Sequence, residues 1–405
     1  MSGPLAGIRV LDLSRILAAP LASQLLADMG ADVIKVERPG VGDDARQYGP
    51  PFLGDPQDNQ SGFYLSANRN KRSVTVDHST AEGASLIKEL ARNSDVLIEN
   101  FRSGVLAKYG LDYENLQKLN PRLVYCSVTG FGQDGPYAQR AGYDGVFQAM
   151  SGMMSVSGLP DGEPGAGPMK VGVSMVDVLT GLYATSAILA ALHHRDTVSG
   201  TGQFIDLALL DCGVASLSHY VQNYLVSGSA APRRGNGGFG GIPSQAFMCT
   251  DAEIFVVAST AKQWAGLASA LGRPELATDP RFATVSARIA NRDLVLGTLD
   301  KIFATDDAAT WIERLEAHDV PVSPVNTMDG VFDNPQVRHR GMRRSVTTSD
   351  GQRIDLLANP IRFSETPIAP FVAPPRLGEH TREVLTELLG KSTDDIDDLH
   401  ARGAI

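Results

Sequence analysis

The first third of the chain alternates short, β-branched apolar runs with stretches of helical spacing. IRVLDLS (8–14) reads as a buried strand. ASQLLADMGA (22–31) repeats its apolar positions as a helix does and meets a stop at Gly30, and DVIKVER (32–38) is strand-like again. A helix is predicted over 80–93, with Ser79 and Glu82 in the S-x-x-E pattern of a capping box. VLIEN (96–100) and LVYCSVTG (123–130) are further apolar runs. Strands and helices alternating at this spacing predict βαβ units and a mainly parallel sheet covered on both faces. Ligands of such sheets bind beyond the carboxyl ends of the strands. That places Ser14-Arg15, Glu37-Arg38 and Asn100-Phe101-Arg102 where chemistry is expected.

Farther on, VGVSMVDVLTGLYATSAILAAL (171–192) is almost wholly apolar, yet it holds one acid, Asp177. Helical spacing begins at Val178, so Asp177 occupies an N-cap position, where its oxygen would contribute about 1 kcal/mol. A helix N-terminus also favours an ionised carboxylate, which in a dry cleft can act as a nucleophile. The residues alone leave both readings open. SGSAAPRRGNGGFGGIPS (227–244) is a Gly/Pro/Ser-rich change of composition, and QAFMCTDAEIFVVAS (245–259) returns to a strand pattern around a turn. An α+β stretch follows, then an arginine-rich segment near 331–345 and a last helix over 381–390. The expectation is an α/β protein: a Rossmann-like large domain over 1–225, a smaller α+β domain over 226–330, and a return to the large domain over 331–405.

A chain of 405 residues exceeds what one hydrophobic core serves, which agrees with two domains. The hydrophobic share, 43%, and the charged share, 20%, argue against disorder. Net charge is −10, from 36 basic and 46 acidic residues, with no basic run, so nucleic acid is not an expected partner. Cys126, Cys212 and Cys249 have no CxxC spacing, and free thiols in a reducing compartment are expected. The start, MSGPLAGIRVLDLS, has no charged leader before an apolar core. The run over 178–192 is short for a span and contains Thr180, Thr185 and Ser186, so no membrane contact is expected and the chain is read as cytoplasmic. GNGGFG (235–240) formally fits G-x-G-x-x-G, but Ile242-Pro243 and a strand pattern follow it instead of a helix. It reads as a linker, or as a loop whose bare backbone approaches a ligand. No metal-ligand cluster is evident, and the histidines, including His193-His194 at a helix end, read as structural.

Several motifs together carry a resemblance. LDLSRILAAPLASQLLADMGADVIKVERPGVGDDAR (11–46), NRNKRSVTVD (68–77), DVLIENFRSGVLAKYGL (95–111), CSVTGFGQDGPYAQRAGYD (126–144) and LGEHTREVL (377–385) resemble the class III CoA-transferases. This is the CaiB/BaiF type, a family that also contains 2-methylacyl-CoA racemases. The resemblance implies that Asp177 is the nucleophile of an enzyme that moves CoA from an acyl-CoA donor to a carboxylic acid. It implies an aspartyl-CoA thioester, a CoA thioester as substrate, no tightly bound cofactor or metal, and an interlocked homodimer. Gly240 and Gly241 align with a loop whose N–H groups face developing oxyanions. Arg38, Lys71, Arg72, Asn100, Phe101, Arg102 and Lys108 lie where the family holds CoA. At AGYD (141–144) the racemases carry a histidine, and here Tyr143, a poor base at neutral pH, favours transfer. Tyr143 and Asp144 are then expected at the acyl end of the site. Arg15 and Leu17 replace the polar pair of the formyl-CoA:oxalate enzymes, which points away from oxalate. Succinyl-CoA as donor and a short dicarboxylate as acceptor are expected, with Arg15, Arg46 or Arg140 facing the second carboxylate and Tyr48 walling the pocket. The alternative within the same fold is a racemase using Asp144 and Asp177 as its proton-transfer pair.

Overall fold

The structure, a computed structural model, describes residues 3–55, 60–238 and 240–405. The chain divides into two compact units. The first takes Met1–Met153, Val171–Ser229 and Arg338–Ile405, and the second takes Met154–Lys170 and Ala230–Val337. The second unit therefore includes 154–170, a stretch that the sequence pattern kept within the first domain.

The first unit is α/β, as its alternating pattern implies. Its sheet contains β1 (Arg9–Asp12), β2 (Asp32–Glu37), β3 (Lys71–Thr75), β4 (Val96–Glu99), β5 (Val124–Thr129) and β6 (Phe204–Ala208). The strand order is β3-β2-β1-β4-β5-β6, and every pairing is parallel. From β1 the chain builds outward through β2 and β3, then returns to β4 on the other side of β1. The order reverses between β1 and β4, and the crevice outside their carboxyl ends is where such sheets bind ligands.

Both faces of the sheet are buried, so neighbouring residues on one strand enter different cores. Leu11, Ile34, Val74 and Leu97 pack with Leu86, Ile87 and Leu90 of the helix Ala81–Arg92, and with Val384 and Leu385. Val10, Val33, Val96 and Ile98 pack with Ala19, Ala22 and Leu26 of the helix Ala18–Asp28, and with Ala184, Ile188 and Leu192. The last three belong to the helix Met175–His194, which by length and hydropathy alone could cross a membrane. Its apolar composition has a nearer cause: Val176, Ala184, Ile188, Ala191 and Leu192 are core residues of this unit.

Some local expectations change. The helix Ala81–Arg92 is capped by Thr80, whose hydroxyl accepts from Gly83 N–H at 3.0 Å, while the Ser79 hydroxyl donates to Asp77 at 2.6 Å. No capping box forms there. The helix Met175–His194 starts before Val178, with Ser174 as its N-cap residue, so Asp177 lies inside the first turn and is no cap.

The second unit packs a three-stranded antiparallel sheet of β7 (Ser244–Met248), β8 (Glu253–Val257) and β9 (Val322–Pro324) against helices. Phe247, Trp264, Leu267, Leu299, Phe303 and Trp311 form its core. Arg288 is buried within this unit and donates to the carbonyls of Ile242 (2.7 Å), Phe282 (2.8 Å) and Ser259 (3.3 Å).

Candidate active site

An open cleft of about 1080 Å³ lies at the strand-order reversal. The turn after β1 supplies Arg15, Ile16 and Leu17, and the turn after β4 supplies Asn100, Phe101 and Arg102. Arg140, Tyr143 and Asp177 complete the wall relevant to chemistry. The pattern and the resemblance had named all of these except Ile16, and the fold brings them together. A second cleft, of about 560 Å³, adjoins it and shares Arg15 and Phe101. Arg38, exposed just after β2, lines this second cleft together with His78.

Asp177 is the third residue of its helix and is partly buried. Burial, and then the Asp144 carboxylate, push Asp177 up to about 7. No cation pairs with it among the described residues. A carboxylate so placed is less well solvated than an ordinary aspartate, and its basicity is higher for that reason. Asp144 has a different place. It is buried, Oδ1 accepts from the N–H groups of Val176 (2.8 Å) and Asp177 (3.3 Å), and Oδ2 accepts from Gln148 Nε2 (2.6 Å). Asp144 thus satisfies the start of the Asp177 helix from a neighbouring segment, the role a cap residue plays. It lies behind the acyl cleft that the resemblance assigned to it, and not in its wall.

The cations also separate into two kinds. Arg46 is 0% exposed, pairs through two bonds of 2.7 Å with Glu37, donates to Tyr64 Oη at 2.6 Å and stacks on the Tyr64 ring. It cannot face an acceptor carboxylate, because Glu37 already neutralises it in the core. Lys71 is buried with its ammonium donating to Asp12 (3.0 Å), Pro20 C=O (2.9 Å) and Asn68 (2.8 Å), so its three protons are spent. Burial pulls Lys71 down to about 8. Burial also works against the Asp12 carboxylate, but Lys71, then Lys35, hold it below its usual range. Arg72 pairs with Asp32 (2.7 Å), Glu387 (2.7 Å) and Glu383 (3.1 Å). Lys71 thus has no proton left for another acceptor, and Arg72 is engaged by three carboxylates. Lys108 is exposed on the turn Leu106–Tyr109 and lines neither cleft. Arg15 is paired with Asp44 at 3.0 Å and stands 5.2 Å from the Phe101 ring centre. Arg140 stacks 3.7 Å from the Tyr137 ring centre. Among the described residues, no carboxylate pairs with Arg38, Arg102 or Arg140.

Tyr48 and Tyr143 are both exposed, Tyr143 at 66%, and Tyr48 meets Phe63 edge-on. Burial and the Tyr143 phenol, to which it is hydrogen-bonded, raise the Tyr48 phenol. Gly240 and Gly241 belong to the second unit. A Cβ on Gly240 would meet open space, whereas one on Gly241 would fall 2.7 Å from Ser259 Cα, so only glycine fits there.

His78 was missed by the sequence reading. It packs edge-on against Phe101 (5.1 Å) and Tyr109 (5.3 Å), and burial lowers its pKa. The imidazole of His78 and the phenyl ring of Phe101 give the second cleft a ring-lined wall, with Arg15 and Arg38 also lining it. The available signal was the strand over 71–75. Once that strand is recognised, His78 falls at a carboxyl end as Ser14 and Asn100 do.

CoA-transferase family III matches residues 5–381. The chain belongs to that family. It is 45% identical over 387 residues to the succinate–glutarate CoA-transferase of Agrobacterium fabrum, covering 95% of this chain and 96% of that one. Against the human succinyl-CoA:glutarate CoA-transferase it is 40% identical over 402 residues, covering 99% of this chain and 90% of that one. A solved CaiB/BaiF family protein from Brucella suis is 42% identical with a TM-score of 0.85, covering 96% of this chain and all of that one. The class III CoA-transferase is thus an enzyme whose family fold is the one described above.

Proposed function

We propose that this class III CoA-transferase moves CoA from succinyl-CoA to a short dicarboxylate through covalent intermediates on Asp177. The carrying observation is Asp177 itself: an unpaired carboxylate of raised pKa, lining a cleft at the strand-order reversal. Its carboxylate attacks the thioester carbonyl of the donor, giving a mixed anhydride and CoA thiolate. The thiolate attacks the Asp177 carbonyl, releasing succinate and leaving an aspartyl-CoA thioester. The acceptor carboxylate then displaces the thiolate to form a second anhydride. Attack of the thiolate on the acceptor carbonyl forms the new acyl-CoA and frees Asp177. Each exchange pairs like with like, so a single carboxylate serves both halves without a cofactor.

The two relatives named for glutarate support a dicarboxylate acceptor, and Arg140 and Arg102 offer cations for its second charge. Arg38, His78 and Phe101 suit the nucleotide end of CoA. Racemisation is less well supported, because Asp144 has both oxygens engaged and is absent from the cleft wall. The apolar residues Leu182, Tyr183, Tyr224, Leu225 and Val226, exposed on the first unit, support a homodimer in solution. A stable monomer on sedimentation would remove that part of the proposal.

Incubation with succinyl-CoA, followed by hydroxylamine or borohydride trapping, is expected to mark the peptide 171–184. An unmodified peptide from enzyme still exchanging CoA would sink the covalent mechanism.

A further inference from the structure

Between β1 and the helix Ala18–Asp28, Ile16 has φ of 73°. A β-branched residue is costly in this left-handed region and stays there only where its surroundings over-determine the backbone. Here side chains supply the determination. Ser14 N–H donates to Asp12 Oδ1 (2.9 Å), and Ser14 C=O accepts from Lys35 Nζ (2.9 Å). Arg15 N–H donates to Asn100 Oδ1 (2.9 Å), and Arg15 C=O accepts from Asn100 Nδ2 (2.7 Å). Ile16 N–H donates to Asp43 Oδ1 (3.0 Å).

Asp12, Lys35 and Asp43 are buried and tied into the ion pairs Asp12–Lys71 and Lys35–Asp43. They belong to the core whatever the turn does. Asn100 is different: it is half-buried, enters no ion pair, and reaches across from the end of β4. Its own backbone is fixed from below, because the next N–H, of Phe101, donates to the buried Glu99 carboxylate at 2.7 Å.

We propose that Asn100 is a positioning residue, whose amide bridges the β4 and β1 strand ends, keeps Ile16 left-handed and so fixes the wall that the two clefts share. Ile16 lines the Asp177 cleft, while Arg15 and Phe101 line both clefts. The family resemblance had suggested Asn100 as a CoA contact. With both polar ends of its amide on Arg15, the group acts on ligands through the wall. The inference rests on the CoA-transferase reading only for the ligand that senses that wall.

A double-substitution comparison on the full chain separates contact from positioning. Calorimetric titration with free CoA is carried out on Asn100→Ala with Ile16 in place and in an Ile16→Gly background. With Ile16 in place, loss of the bridge lets the turn relax, and Kd for CoA rises about tenfold. Glycine adopts positive φ without steric cost, so in its background the same change raises Kd less than about threefold. Ile16→Asn, which also tolerates the region, is the second background should Ile16→Gly fold poorly. Equal penalties in every background would make Asn100 a direct contact and overturn the proposal, as would no penalty in any. Melting temperatures repeat the comparison without ligand: the loss caused by Asn100→Ala shrinks by about half or more once Ile16 is replaced. Wild-type protein that binds no CoA would defeat the functional reading, and the thermal comparison would still decide the bridge. An unchanged thermal loss in all backgrounds would overturn it.

Discussion

Apart from Arg15, which pairs with Asp44 while lining both clefts, two populations of charged side chains stand in contrast in the first unit. One is locked: Arg46 on Glu37, Lys71 on Asp12, Lys35 on Asp43, all buried. The other faces a cleft: Arg38, Arg102, Arg140 and Asp177, none with an ion-pair partner among the described residues. The first population holds the sheet ends in one arrangement. The second lines the clefts with its charge uncompensated among the described residues. The lesson is that a basic residue in a family motif carries no role until its counter-charge is located.

Substitutions can break this division. The largest effect is expected at Asp177: Asp177→Asn should cut CoA exchange by about a thousandfold or more, followed by chromatography of acyl-CoA products. The same variant reports on burial. A carboxyl whose pKa is raised by folding binds protons more readily in the native state, so its contribution to stability is lost as pH rises through about 7. Asp177→Asn should therefore melt above the wild type at pH 8, with the gap closing toward pH 5. Next comes Arg46→Met, which leaves the buried Glu37 unpaired and should cost about 3–5 kcal/mol in chemical denaturation. A change in acceptor KM with stability intact would instead place Arg46 among the cleft cations.

Smaller effects sharpen the comparison. With the ionised form of Asp177 as the proposed nucleophile, kcat/KM for the donor should climb with pH through about 7 and fall about tenfold per unit on the acid side. A profile flat from pH 5.5 to 8 would remove the raised pKa from the mechanism. Arg38→Ala should raise KM for acyl-CoA about tenfold or less and leave the melting temperature unmoved. Arg72→Ala should do neither by more than about threefold in KM, since its guanidinium serves Asp32, Glu383 and Glu387.

The same division explains what the sequence could tell. β1, β2, β4 and β5 were legible because they are apolar and β-branched, as strands buried on both faces must be. β3 was not, because it begins Lys71-Arg72, two charges whose partners Asp12 and Asp32 lie on other strands. Asp177, Arg15, Arg102 and Arg140 were legible from strand-end logic and family motifs together. Lys71 and Arg72 are paired with Asp12 and Asp32 of other strands, which leaves no mark on local spacing, and Arg46 folds back from the turn after β2 onto Glu37. His78 was hidden behind the unread strand. Ile16 gave no signal at all, since a positive φ at a β-branched residue comes from remote side chains.

The first unit is finished late. Pro375 C=O accepts from Arg46 and Tyr64, Gly378 N–H donates to the Ser73 hydroxyl, and Val384 and Leu385 fill one face of the sheet. On the ribosome, the six strands and the cleft walls, complete by Leu209, emerge more than 160 residues before these closing contacts. A nascent chain paused anywhere short of about residue 385 therefore carries a sheet face only partly covered and an Arg46 still missing part of its cage, and native packing of this unit awaits that segment.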